Sequence, residues 1–171
     1  MKCSAFVFAD DGDVPNSPLP LIVYHGAVDV ARGRAAEAFE ALFARNGWGG
    51  SWRNGIYPFH HYHSNVHEVL GIAAGEASVR FGGEGGRTLE VAAGDAVLIP
   101  AGVGHKRLSG SDDLLVIGAY PGGQRADLMR EGAEDTAGIR RRVAAATRPG
   151  LDPVAGADGP MDEHWAVSPR G

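Results

Sequence analysis

Between residues 56 and 120 the sequence consists of short apolar segments separated by turns, and glycine marks most of the boundaries. Glycine makes up 26 of the 171 residues, roughly double its average share. Short segments at this spacing are typical of an antiparallel sandwich or barrel. The segments are IYPFHHYH, HEVLGIAA, EASVRF, RTLEV, AVLIP, GHKRLS and DLLVIGAY. The sequence therefore predicts an all-β core, with a tight hairpin at GGEGG, where glycines can adopt positive φ angles.

Helical patterns lie on both sides of this core. Before it, LIVYH at 21 to 25 predicts a strand, and GRAAEAFEALFARNGW carries apolar residues at helical spacing and ends at Asn46-Gly47. After it, a helix is predicted near 134 to 146, followed by an extended arm rich in proline and glycine. We expect one domain made of an N-terminal strand and helix extension (1–54), a core barrel (55–120), and a C-terminal helix and arm (121–171).

The arm carries enough apolar surface to dock. We expect Trp165 to pack onto the barrel of its own or a partner subunit, and DPVAGADGP to lack regular structure. Open sheet edges and a long arm also predict a homodimer, because exposed edges need cover. The apolar residues of the arm are Leu151, Val154, Met161, Trp165 and Val167.

Charge and composition narrow the function classes. A net charge of -5 argues against nucleic-acid binding, and the basic cluster IRRRV at 139–143 is interpreted as a solvated helix face. No apolar run approaches the roughly 20 residues of a membrane span. The first residues lack the pattern of an export signal, and the single cysteine, Cys3, cannot form an internal disulfide. A cytoplasmic protein with a small-molecule ligand is expected.

Four of the seven histidines and a glutamate stand in HHYHSNVHE, residues 60 to 68. Strand side chains alternate between faces, so four residues of the first segment share one face. We interpret this face as the interior because it includes Phe59. His60 is then interpreted as a solvent-facing strand residue. The four interior residues are Tyr57, Phe59, His61 and His63.

On the next segment, Glu68 shares its parity with Leu70 and Ile72, which predicts that Glu68 points inward and His67 outward. A bulge would exchange these two residues. An ionised carboxylate inside an apolar barrel is costly unless a cation compensates it. Two imidazoles on the neighbouring strand could share a metal ion with Glu68, which removes this cost.

The segment GDAVLIPAGVGHKRLS presents a third imidazole, His105, after a turn. Three neutral nitrogens and one carboxylate suit one first-row divalent ion: iron, manganese, nickel, zinc, cobalt or copper. An octahedral ion would keep open positions for an exchangeable ligand. The alternative is a polar network without metal. The predicted ligands are His61, His63, Glu68 and His105.

Two glycine-framed motifs resemble those of the cupins. The first motif reads Gly55, five residues, His61, one residue, His63, four residues, Glu68, six residues, Gly75. The second reads Gly94, five residues, Pro100, one residue, Gly102, two residues, His105, three residues, Ser109. Asn is usual at that last position, so Ser109 is a departure, although it is not a metal position in the family.

The resemblance implies the cupin double-stranded β-helix, a jelly-roll barrel, and a metal at the four predicted ligands. The flanking sequences are similar to small bacterial single-domain cupins of the YjlB type, which implies no particular reaction because cupins serve many functions. Two function classes stay open. One is a metal-dependent enzyme, an oxygenase or isomerase, acting on a small organic molecule. The other is a non-catalytic cupin that binds or senses a small ligand.

Residues around the ligands suggest a substrate pocket. Arg107 and Ser109 share parity with His105, and an inward guanidinium beside a metal needs an anionic partner. A substrate carboxylate or phosphate is one candidate. The alternatives are a bulge that turns Arg107 outward and an ion pair with Asp113 or Glu90. We expect a pocket formed by Arg107, Tyr57, Phe59 and Ser109, while Trp48 and Trp52 either pack the helix onto the sheet or cover the barrel mouth.

Overall fold

Two antiparallel sheets face each other in the computed structural model, which describes residues 1–166. The first sheet has the order β1-β2-β8-β5-β10-β3 and the second has the order β11-β4-β9-β6-β7. The prediction of an all-β jelly-roll barrel with accessory helices is confirmed. The strands are β1 Lys2–Phe8, β2 Ser17–His25, β3 Trp48–Asn54, β4 His61–Tyr62, β5 Glu68–Ala74, β6 Glu76–Phe81, β7 Arg87–Ala92, β8 Ala96–Ile99, β9 His105–Gly110, β10 Leu115–Pro121 and β11 Met129–Arg130. The helices are α1 Ala35–Arg45, α2 Thr136–Ala145 and α3 Pro160–His164, with a 3-10 turn at Val30–Arg32.

The space between the sheets holds one apolar core, and β5 shows how the sequence builds it. Leu70 and Ile72 on β5 pack inward with side chains from the opposite sheet such as Val79 and Phe81. The predicted hairpin at GGEGG is confirmed, because β6 and β7 pair in register up to Phe81 and Arg87. A second apolar layer lies outside the first sheet, where Val69 faces α1.

Helix α1 lies across the outer face of the first sheet, as its amphipathic pattern predicts. Phe39 and Phe43 are fully buried there, with ring centroids 5.6 Å apart. Gly71 on β5 lets the helix approach, because a Cβ atom at that position would lie 2.5 Å from Cδ1 of Phe39. The helix therefore packs against the outer face of β5, the strand that begins with Glu68.

Strand β3 was not predicted, and it directs its two tryptophans to opposite faces of the sheet. Trp52 pairs with Gly118, whereas Gly49 pairs with Tyr120, so β3 contains one extra residue between these pairs. Gly50, at φ 61°, lies within this bulge. The bulge reverses the alternation, so Trp48 packs in the outer layer with α1 and Trp52 packs against the inner core. One tryptophan therefore packs the helix onto the sheet, and the other faces the interior.

The C-terminal arm packs against its own barrel, and it is more regular than predicted. Trp165 is 1% exposed, and its Nε1–H donates to the carbonyl of Pro20 at 2.8 Å. The expectation of an extended arm is wrong at residues 160–164, because α3 forms there, with Pro160 at its first position, whereas DPVAGADGP is helical only at Pro160. Val167 lies outside the described residues.

Several predicted elements differ in detail. The segment IYPFHHYH forms a strand only at His61 and Tyr62, because residues 55–60 run as irregular chain. The apolar start of the sequence forms β1, an edge strand paired with β2. Helix α2 is confirmed, with Asp135 accepting a hydrogen bond from the Gly138 N–H as its N-cap. None of the described helices has the length and apolar character needed to cross a membrane.

The buried carboxylate of Asp152 organises the arm. It accepts hydrogen bonds from the Tyr24 hydroxyl at 2.7 Å and from the Met161 N–H at 2.8 Å. It also accepts from the N–H groups of Val154 and Ala155. One fully buried side chain therefore satisfies four donors and ties the arm to β2.

Asp152→Ala should destabilise the protein by roughly 3 kcal/mol or more, because buried donors to a charged acceptor lose their partner. Glu163→Ala is the matched control, since Glu163 is an exposed acid of the same arm, and it should change stability by less than about 0.5 kcal/mol. Denaturant unfolding measures both. Equal stability of the two variants would show that Asp152 does not hold the arm.

Candidate metal centre

Three predicted ligands meet between the two sheets. Glu68 begins β5 in the first sheet, His105 begins β9 in the second, and His63 follows β4. One ligand atom from each lies within 4.8 Å of the others. Nε2 of His63 is 3.2 Å from Oε2 of Glu68, and Nε2 of His105 is 3.5 Å from Oε1. The shared parity of Glu68 with Leu70 and Ile72 therefore agrees with its position in the interior.

His61 lies beside this group. Its residue pairs with His105 across β4 and β9, and the two ring centroids are 4.0 Å apart. Burial, and then the neighbouring His105, lower the pKa of His61 to about 3. His61 therefore stays neutral at physiological pH, which is the form that a metal ligand requires.

Each of the three imidazoles has its Nδ1 next to a main-chain carbonyl oxygen. The acceptor of His61 is Phe59, at 3.0 Å, and the acceptor of His105 is Val103, at 3.1 Å. The acceptor of His63 is Asp127. A carbonyl can only accept, so Nδ1 carries the hydrogen in all three rings and Nε2 is left for a ligand. This arrangement, with the distal nitrogen held by an acceptor, is usual for histidines that bind metals.

The donor set fits a cation. With the hydrogen on Nδ1, the Nε2 lone pair of His63 faces a carboxylate oxygen of Glu68, and two acceptors repel unless a cation lies between them. In the metal-free protein a proton between Nε2 of His63 and the Glu68 carboxylate removes this repulsion. Burial opposes protonation of His63, but Glu68 and Asp127 together outweigh burial and raise the pKa of His63. Burial of Glu68 would raise its pKa, yet His63 and His105 hold the pKa of Glu68 well below its usual range. A divalent ion would satisfy the same atoms.

The other two histidines of the cluster are buried outside this group. His60 was expected to face solvent, but it is 3% exposed and its Nε2 pairs with Glu84 at 2.8 Å. The irregular chain before β4 removes the alternation on which that expectation relied. His67 points away from the barrel interior, as predicted, but lies under the arm with its ring centroid 4.8 Å from that of Trp165. Its Nδ1 accepts from the Ala101 N–H, and burial lowers the pKa of His67 to about 4.

A cavity of about 730 Å³ opens onto the three converging ligands. Its walls include two of the four predicted pocket residues, Tyr57 and Arg107, together with His61. Phe59 and Ser109 do not line it. Phe59 lies in the irregular chain, where it stacks on Tyr57 at 4.9 Å and under the guanidinium of Arg130 at 4.0 Å.

A bulge in β9 explains the position of Ser109. Arg107 pairs with Val79 and Ser109 pairs with Ser78, so Leu108 is an extra residue in β9. The bulge comes after Arg107, and it leaves Arg107 on the face of His105 while it turns Ser109 to the exposed side. The shared parity of 105, 107 and 109 was wrong at this last residue.

Arg107 contributes a positive charge to the cavity. Its Nε–H donates to the carbonyl of Ile56 at 3.1 Å. Within residues 1–166, no carboxylate lies within 4.0 Å of its guanidinium. The predicted alternative partners, Asp113 and Glu90, therefore do not pair with it.

Tyr120 is a cavity residue that we did not predict. It lies on β10 with its ring centroid 5.9 Å from that of His63. Its hydroxyl oxygen accepts from the Trp52 Nε1–H at 3.0 Å, which leaves its own proton available to another acceptor. Burial, and then the Glu68 carboxylate, raise the pKa of Tyr120 well above its usual range. Its parity with Val116, an inward residue of the same strand, was the sequence signal for this position.

Comparisons with known proteins give one strong relationship. The chain is 42% identical over 165 residues to the Uncharacterized protein YjlB of Bacillus subtilis (strain 168), covering 96% of this chain and 97% of that protein. No protein-family model matches the sequence.

Solved structures match only parts of the chain. The acireductone dioxygenase of Bacillus anthracis, with a cadmium ion in its active centre, is 18% identical with a TM-score of 0.37, over 49% of this chain and 57% of that one. The oxalate decarboxylase of Lactobacillus farciminis is 22% identical with a TM-score of 0.39, over 47% and 25%. The match therefore spans less than two thirds of either enzyme. A DUF861 family protein from Thermotoga maritima is 24% identical with a TM-score of 0.32, over 49% of this chain and 86% of that protein.

Replacing a ligand should remove bound metal. We expect His61→Ala, His63→Ala, Glu68→Ala and His105→Ala each to lose most of the metal that the unmodified protein retains, because each removes one donor. His60→Ala and His67→Ala serve as controls from the same cluster and should keep it. Elemental analysis of the purified variants measures the content. Loss of metal in His67→Ala with retention in Glu68→Ala would reverse the ligand assignment.

Proposed function

The chain belongs to the YjlB family of cupins, and we propose that it is a metal-dependent enzyme, an oxygenase or isomerase, that acts on a small anionic organic molecule. The observation that carries this proposal is the direction of the imidazoles. Three Nδ1 atoms are held by carbonyl oxygens, and two of the opposite nitrogens approach one buried carboxylate at the end of an open cavity. A buried site that requires a cation and can be reached by a small molecule is suited to metal chemistry.

The proposed metal ligands are His61, His63, Glu68 and His105. A bound divalent ion would polarise a substrate oxygen or activate dioxygen beside the substrate. The protein supplies in His61 an imidazole that stays neutral, because burial lowers its pKa to about 3, and in Glu68 one carboxylate to balance part of the charge. The remaining charge favours an anionic ligand.

Arg107 supports the anionic substrate. Its guanidinium lines the cavity and, among the described residues, has only the Ile56 carbonyl as a hydrogen-bond partner. A guanidinium presents several N–H donors in a fixed plane, which matches the two oxygens of a carboxylate or phosphate. One end of a substrate would pair with Arg107 while another oxygen reaches the metal ligands.

Tyr120 supplies a hydrogen-bond donor that the proposed reaction would use. Its hydroxyl is positioned by Trp52 and lies close to Glu68, and its raised pKa keeps the proton on the oxygen, so it can donate a hydrogen bond to negative charge that develops on a substrate oxygen in the cavity. The two functions are distinguished by turnover, since Tyr120→Phe should lower the rate in an enzyme while leaving metal content unchanged.

The decisive experiment combines metal loading with a substrate screen. Protein prepared without oxygen and loaded with one divalent metal at a time is offered small carboxylates, and oxygen uptake and product formation are followed. Turnover that requires both metal and ligand supports the enzyme. Tight ligand binding without any chemical change of the ligand supports the sensing function instead.

Arg107→Leu should weaken the binding of citrate or 2-oxo acids by roughly 10- to 100-fold, the usual effect of losing a hydrogen bond to a charged group, while metal content stays unchanged. Arg53→Leu is the matched control, because Arg53 lines the same cavity but is paired with Glu40 at 2.7 Å. Calorimetric titration of the metal-loaded variants measures the affinity. Equal anion affinity in both variants would assign Arg107 a structural role.

A further inference from the structure

The three histidines differ in what orients them. His61 and His105 each donate Nδ1–H to the carbonyl two residues earlier in their own segment. His63 instead donates to the carbonyl of Asp127, 64 positions later in the chain. The direction of His63 therefore depends on a tertiary contact, whereas the directions of His61 and His105 follow from their own local backbone.

Asp127 lies in residues 122–128, the segment between β10 and β11, which we name the Asp127 loop. The carboxylate of Asp127 accepts from the Ser64 N–H at 2.6 Å and from the Ser64 hydroxyl. The Asp127 N–H donates to Oδ1 of Asn65 at 3.0 Å, and Nδ2 of Asn65 donates to the carbonyl of Arg125 at 2.9 Å. The loop and the turn after His63 are thus bonded to each other through several groups on each side.

Helix α2 adds a third component. Nε of Arg142 donates to the Ser64 hydroxyl at 2.8 Å and lies 3.8 Å from the Asp127 carboxylate. Ser64 is fully buried, so its hydroxyl has no solvent to replace these partners. The side chains of Asp127 and Arg142 are 29% and 43% exposed, which places this network at the edge of the barrel.

We propose that Asp127 is a positioning residue for the metal centre. Its carboxylate, held by Ser64 and Arg142, fixes the loop so that its own carbonyl receives the Nδ1–H of His63 and Nε2 of His63 turns toward Glu68. This inference rests on the proposed function in treating His63 as a ligand. The same loop forms part of the cavity wall through Ala126, Asp127 and Leu128, so the substrate cavity and the orientation of one ligand share a single support.

Asp127→Ala tests this inference through metal affinity. Competition between the protein and a chelator for Co²⁺ gives the Kd, and the visible spectrum of bound Co²⁺ reports its coordination. Asp127→Ala keeps the main-chain carbonyl but frees the loop that positions it, so we expect Co²⁺ to bind roughly 10- to 100-fold more weakly, the usual effect when the partner of a ligand histidine is displaced, with an altered spectrum. Asp95→Ala is the control, because the Asp95 carboxylate likewise accepts from main-chain N–H groups, those of Gly26 and Ala92, which lie outside both the Asp127 loop and α2. It should lower the melting temperature and leave Kd and spectrum unchanged.

A double-mutant cycle with Ser64→Ala tests whether Asp127 acts on the metal centre through its hydrogen bonds to Ser64. If Ser64 and Asp127 act together, the loss of Co²⁺ affinity in the double variant will be smaller than the product of the two single losses. Fully multiplicative losses would overturn the shared role. An unchanged Kd and spectrum in Asp127→Ala, with normal metal binding by the unmodified protein, would overturn the inference alone.

A second measurement needs no metal. In the metal-free protein, the Nδ1–H proton of His63 should exchange slowly with solvent because the Asp127 carbonyl holds it. Proton NMR should show that signal in Asp95→Ala and lose it in Asp127→Ala. Retention of slow exchange in Asp127→Ala would overturn the positioning role. Failure of the unmodified protein to bind any divalent ion would count against the proposed function, and this proton signal would still decide the role of Asp127.

Discussion

The charge of Glu68 is the constraint on which the interior depends. Its side chain lies between two sheets whose other inward residues are mostly apolar, and an isolated carboxylate there would be strongly destabilising. Imidazoles on the side of the opposite sheet compensate this charge, and a main-chain carbonyl that accepts from Nδ1–H orients each of them. Because the carboxylate comes from one sheet and the histidines from the other, the electrostatic requirement is met only when the barrel is closed. The same arrangement creates a position for a cation.

Two single-residue bulges determine what else reaches this interior. Without the bulge at Gly50, Trp52 would share the outward direction of Trp48, and the Tyr120 hydroxyl would lose its donor. Without the bulge at Leu108, regular alternation would place Ser109 beside Arg107 in the cavity. Each bulge lies close to the cavity, where a change of one residue in strand register decides which side chains a ligand meets. Register is therefore as important for this site as residue identity.

Much of the fold could be predicted because local sequence patterns specify it. Period-two alternation in β5 to β10, the helical spacing of α1 and the glycines of the hairpin each specify their own structure. The parity of Glu68 belongs to this class, because β5 pairs regularly as far as Ile72 and its irregularity, at Ala73, comes only after that. The failures have a different origin. His60 and Phe59 lie in chain that is not a strand, Ser109 follows a bulge, and the support of His63 by Asp127 joins residues far apart in sequence. None of these relationships leaves a periodic signal.

The arm also has a consequence for the order in which the molecule can form. The outer side of β5 is covered by α1, made before it, and by Trp165, which packs on His67 and is made long after every strand of the barrel. A nascent chain in which strands β1 to β11 have been synthesised, but not yet Trp165, still exposes apolar residues on the outer side of β5, the strand that begins with Glu68. Contacts so distant in sequence form slowly. Until they form, the barrel presents an apolar surface on which another nascent chain could associate, and the packing of Trp165 covers that surface.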